Sequence, residues 1–63
     1  MRMAWVEVKL NRVKAGDTLR VNGGMPFVVQ AIIGRRGFVL EVVTEDGVPV
    51  EIRDTDDVAL LDP

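Results

Sequence analysis

Sixty-three residues, 48% of them apolar, make one domain, and a chain this short buries only about 60% of the surface that its unfolded form exposes. The chain has no cysteine, no histidine and no serine, which removes disulfides, thiolate zinc sites, the usual neutral-pH acid/base and any Ser–His–Asp arrangement. Net charge is −2, but residues 1–36 carry seven Lys/Arg against Glu7 and Asp17, while residues 37–63 carry Arg53 against eight acids. Either strands from the two halves interleave and neutralise one another, or the surface has a basic and an acidic face, one of which meets a partner.

The alternation of Trp5–Leu10 predicts a half-buried strand, with Val6, Val8 and Leu10 inward and Trp5, Glu7 and Lys9 outward. Lys14-Ala15-Gly16-Asp17 reads as a turn. Thr18–Val21 follows as a short strand with Leu19 and Val21 inward, ended by Asn22-Gly23-Gly24. Further strands are expected at Phe27–Ile33, Phe38–Thr44 and Val48–Ile52, then a 3₁₀ turn at Asp54-Thr55-Asp56-Asp57 and a last strand at Val58–Leu61.

Parity suggests how the strands pair. Taken as a four-residue loop, Gly34–Gly37 sets Ile33 opposite Phe38. Val29, Ala31, Ile33, Phe38, Leu40 and Val42 then share a core face, and Val28, Ile32, Val39 and Val43 share the other around Gln30 and Glu41. In the next hairpin, Glu45-Asp46-Gly47 suits a three-residue loop with glycine in the left-handed conformation. That register turns Val48, Val50 and Ile52 inward and Pro49 outward, where an edge position needs no donor.

This order of strands predicts an all-β protein: a small SH3-like barrel of five or six short antiparallel strands with a 3₁₀ turn before the last, in which closure protects the valine-rich edges. Residues 1–63 form the single domain, with residues 1–10 as an N-terminal strand that either completes the barrel or lies at its periphery and docks on another chain. The segments "VKAGDTLRVNGG", "PFVVQAII", "FVLEVVTEDGVPVEI" and "DTDDVALL" resemble SH3-like or KOW-like barrels, in particular short uncharacterised proteins of actinobacteria and their phages. The resemblance covers about residues 6–61 and implies a fold and an accessory role, such as binding and modulating a host or viral protein. "AGDTL" also looks like the start of an intein or Hedgehog-type domain, but the chain lacks the Cys, Ser and His on which that chemistry depends.

Candidate contact residues follow from chemistry. Trp5 is the single tryptophan and lies on the polar parity of its strand, and Trp and Arg are enriched among residues that carry binding energy. Arg35 and Arg36, framed by glycines, suit bidentate contact with anionic groups, and the Val28, Ile32, Val39 and Val43 face offers apolar area. These residues support contact with another protein or with a second copy. The alternative is a weak nucleic-acid-binding barrel whose basic set is Lys9, Arg12, Lys14, Arg20, Arg35 and Arg36, extended by Arg2, with Trp5 as stacking ring. The acidic pI of about 4.9 weighs against it.

Asp54, Asp56 and Asp57 lack the glycine and distal glutamate of a calcium loop, so no metal site and no cofactor is expected, and no nucleophile–base pair predicts an enzyme. No apolar run approaches the roughly 18 residues of a membrane span, and Met1–Ala4 does not lead into a signal-peptide stretch, so a cytoplasmic protein is expected.

Overall fold

The ten residues of the longest strand, fully extended, would span about 33 Å, so the strand must bend if it is to line a core this small. The computed structural model describes residues 3–62. Its elements are β1 (Ala4–Glu7), a 3₁₀ turn (Leu10–Arg12), β2 (Thr18–Val21), β3 (Phe27–Arg36), β4 (Val39–Thr44), β5 (Pro49–Arg53) and β6 (Val58–Asp62). All strand pairs are antiparallel, in the sheet order β1-β6-β2-β3-β4-β5. The all-β expectation holds. Among the described residues β1 and β5 do not pair, so they remain the two edges of the sheet.

Two register shifts in β3 supply the bend. Gln30 and Ile33 each stand as an extra residue between Val29/Ala31 and Ile32/Gly34 on the β4 side. Each bulge sharpens the local twist, so β3 can leave β2 after Val29 and continue along β4. The sheet thereby curls on itself. Leu19, Val58 and Leu60 from one half meet Leu40, Val42 and Ile52 from the other, with Val29 at the bend, and Val13 fills the end of the core.

The bulges also overturn part of the parity reading. Each extra residue reverses which side chains point inward, so Ile32 pairs with Val42 and packs against the core, while Ile33 is 58% exposed. Phe38 is 73% exposed, because the β3–β4 connection is the tight turn Gly37-Phe38 rather than a Gly34–Gly37 loop. Gly37 takes φ +55°, the positive value that the first loop position of a II′ hairpin requires.

The β4–β5 hairpin follows the expected register. Gly47 has φ +81°, Thr44 N–H donates to the Val48 carbonyl at 2.9 Å, and Val50 and Ile52 face inward opposite Val42 and Leu40. Val48, expected inward, is 52% exposed at the strand's mouth. The buried Thr44 hydroxyl is satisfied by the Val48 N–H at 3.2 Å.

The 3₁₀ turn lies elsewhere than expected. Successive i→i+3 bonds, Arg12 N–H to Lys9 O and Val13 N–H to Leu10 O, wind residues 10–12, the first of which was expected to end the first strand. At Asp54–Asp57 only Asp56 N–H to Arg53 O forms in this way. The Asp56 side chain caps the Arg53 N–H there, and Asn22 binds Asp57 N–H, so the turn does not propagate.

Candidate functional site

β1, β6 and β2 lie side by side, and the residues facing away from the core on these strands form one surface. Trp5 stands opposite Leu61, and Glu7 and Arg20 stand on either side of Ala59. The alanine methyl is too short to fill the space between them, leaving a shallow depression lined by Trp5, Glu7, Arg20, Asp57 and Ala59. Arg20 leans over the indole, its guanidinium carbon 4.5 Å from the ring centroid. At a half-exposed site such a cation–π contact contributes about 0.5–1 kcal/mol and holds both flat groups in one orientation. Among the described residues Arg20 has no carboxylate at ion-pair distance, so its charge stays available.

The other expected contact residues are dispersed. Arg35 and Arg36 lie on β3 itself, not at a loop tip. After the second bulge Arg35 stands opposite Leu40, on the inward face at the rim of the core, and donates from Nη2 to the Val13 carbonyl at 3.3 Å. Arg36 faces out and meets Glu41 at 2.9 Å and Glu51 at 3.8 Å, while Arg53 reaches Glu51 at 3.5 Å. The outer face of β3, β4 and β5 therefore carries a charge ladder satisfied within the chain. Val28, Val39 and Val43 are half-buried, and Ile32 is on the other face, so the four-residue apolar patch does not exist as one surface.

The basic set is divided in the same way. Lys9 precedes the 3₁₀ turn and Arg12 ends it, Lys14 pairs with Asp17 at 3.1 Å, and Arg20 and Arg36 lie on the outer faces of opposite halves of the curled sheet. Arg2 lies outside the described residues. Among the described residues no continuous basic groove joins them.

Asp56 and Asp57 are structural. Asn22 Nδ2 donates to Asp56 Oδ1 at 3.1 Å, Asp57 N–H donates to Asn22 Oδ1 at 2.8 Å, and Asn22 N–H donates to the Asp57 carbonyl at 2.7 Å. The Arg53 N–H, then the Asn22 amide, hold the Asp56 carboxyl below its ordinary range. Among the described residues no cluster of acids is arranged to hold a metal ion, and no helix is long and apolar enough to cross a membrane.

The edges complete the picture. Val8 N–H donates to the Val58 carbonyl, so by antiparallel alternation Val6 also bonds β6, while the N–H and C=O of Trp5 and Glu7 point away from the sheet. Thus the Trp5–Arg20 surface adjoins an unoccupied strand edge. Trp5 was legible in the sequence as an outward aromatic. Arg20 as its neighbour was not, because β6, from the far end of the chain, lies between β1 and β2. Comparisons with known protein families, with curated proteins and with solved structures returned no match.

Proposed function

We propose that the protein is a non-catalytic β-module that works by protein–protein contact, receiving an extended partner segment on the Trp5–Arg20 surface beside the β1 edge. The observation that carries this reading is the juxtaposition of a half-exposed indole, a cation without an acidic partner among the described residues and the outward-pointing backbone groups of Trp5 and Glu7. Main-chain bonds along the edge supply affinity, and the depression beside Ala59 supplies specificity for an acidic or apolar side chain. We read β2 to β6 as an SH3-like barrel with β1 added to β6, and we propose from the resemblance to phage proteins an accessory role, the partner being a host or viral protein.

Selection of random short peptides on the immobilised protein tests this. Enriched sequences are expected to be extended, to carry acidic residues, and to lose binding to Trp5→Ala and Arg20→Ala while the variants keep their melting temperature. Peptides that bind both variants as well as wild type would contradict it. A weak nucleic-acid-binding barrel is favoured by one feature, the ring of Trp5 held beside a cation as in base-stacking platforms. Titrating Trp5 emission with oligothymidylate separates the readings, since phosphate contacts weaken steeply with salt and an apolar contact does not.

A further inference from the structure

We infer that β1 is a self-association edge: it pairs antiparallel with β1 of a second copy, Trp5 of each chain lying opposite Glu7 of the other. The inference rests on the protein-contact reading above and names its partner.

The two edges of the sheet are finished differently. On β5 the alternation set by Thr44 N–H to Val48 O and Asp54 N–H to Phe38 O points Pro49, Glu51 and Arg53 outward. Pro49 has no N–H to offer. Both backbone groups of Arg53 are taken within the chain, its N–H by Asp56 Oδ2 at 2.9 Å and its carbonyl by Asp56 N–H at 3.0 Å. Among the described residues only Glu51 of β5 keeps a free donor and acceptor, so β5 is a poor template for another strand. β1 carries no such device. Trp5 and Glu7 both present N–H and C=O, and neither proline nor bulge interrupts Ala4–Glu7.

The sequence of β1 then selects the register. A two-fold axis through Glu7 sets two carboxylates opposite one another, which is destabilising in a cross-strand pair. An axis through Trp5 sets Glu7 opposite Met3 of the second copy, so its carboxylate faces an apolar side chain and gains no charge partner. An axis through Val6 has neither defect. It exchanges the N–H and C=O of Trp5 with those of Glu7 of the second copy, on both sides of the axis, and it closes the contact in the manner of an isologous dimer. The incoming Glu7 has its Cβ about 4.5–5.5 Å from that of Trp5, which sets its carboxylate on the outer face beside the ring that Arg20 overlies. Within one chain Glu7 and Arg20 line one depression without an ion pair among the described residues, and Glu7 of the second copy adds a carboxylate to that surface. The contact is short, so the dimer is expected to be reversible.

Cysteine scanning tests the register, because the native chain has no thiol. About the proposed axis the two Val6 residues form a non-hydrogen-bonded pair with Cα atoms about 4.5 Å apart, within disulfide reach. Mild oxidation is expected to give a covalent dimer of Val6→Cys and little or none of Glu7→Cys, whose copies lie diagonally. Faster cross-linking of Glu7→Cys, or no covalent dimer of either, overturns the inference.

Sedimentation equilibrium of Glu7→Pro guards against a folding defect in the cysteine variants. Proline there removes an outward N–H and the Glu7 carboxylate but no bond to β6, so this variant is expected to melt cooperatively yet stay monomeric where wild type dimerises. A Glu7→Pro dimer as tight as wild type also overturns it. Wild type that is monomeric throughout, while selected peptides still perturb Trp5, overturns the second copy as partner and leaves the contact reading standing. Loss of both responses overturns both.

Discussion

The side-chain amide of Asn22 donates to the Asp56 carboxylate at 3.1 Å across 34 residues of sequence, pinning the β2–β3 turn to the β5–β6 turn. Asn22 holds φ +50°, a conformation asparagine tolerates better than most residues, and so presents both its backbone and its side chain to residues 56 and 57.

This pin gives stability an acid dependence. The folded Asp56 carboxyl titrates below its ordinary value of 3.8, first because of the Arg53 N–H and then because of Asn22. A group with a depressed folded pKa contributes stability that is fully present above its unfolded pKa and is lost as pH falls through the folded value. Thermal melts of wild type and Asp56→Ala are therefore expected to differ at neutral pH and to converge as the solution is acidified below 3.8. Curves that stay parallel would show that the carboxylate's charge is not what the pin uses.

The bulges make neighbouring isoleucines unequal. Ile32 packs against the core and Ile33 is 58% exposed, so Ile32→Ala is expected to cost about 2 kcal/mol and Ile33→Ala no more than about 0.5 kcal/mol in denaturant unfolding. The reverse order would restore the uninterrupted register that simple alternation suggests.

What alternation conveyed and what it missed divide at those bulges. The β4–β5 hairpin was legible because Asp46-Gly47 demands a left-handed residue and only one loop length keeps Glu51 out of the core. In β3 neither Gln30 nor Ile33 carries a local signal of being an extra residue, so counting by twos misassigned Ile32 and Ile33, while Phe38 lies exposed in the two-residue turn that replaced the expected Gly34–Gly37 loop. The glycines around Arg35 and Arg36 resembled a turn. In the fold one arginine reaches the Val13 carbonyl and the other the ladder of Glu41 and Glu51. Val13, only 2% exposed, escaped notice because it stands alone between Arg12 and Lys14 and belongs to no periodic stretch. The Trp5–Arg20 contact depends on the insertion of β6 between β1 and β2, which no local pattern encodes.

Pro49 is expected to act as a guard on the second edge. Pro49→Val supplies an outward N–H beside the free groups of Glu51 and favours strand addition at β5 as well as at β1. Light scattering should then show species larger than a dimer, growing with concentration. A variant that assembles no further than wild type would mean that the Asp56 cap on Arg53 suffices to protect β5.

Amide hydrogen exchange along β1, read residue by residue at low and at high protein concentration, tests the central claim most directly. In dilute solution Val6 and Val8, bonded to β6, are expected to be protected, while Trp5 and Glu7 exchange rapidly. Raising the concentration should slow Trp5 and Glu7 and leave the amides of β5 unchanged. Trp5 and Glu7 amides that exchange rapidly at every concentration, while protection appears on another surface, would contradict the assignment of β1 as the docking edge.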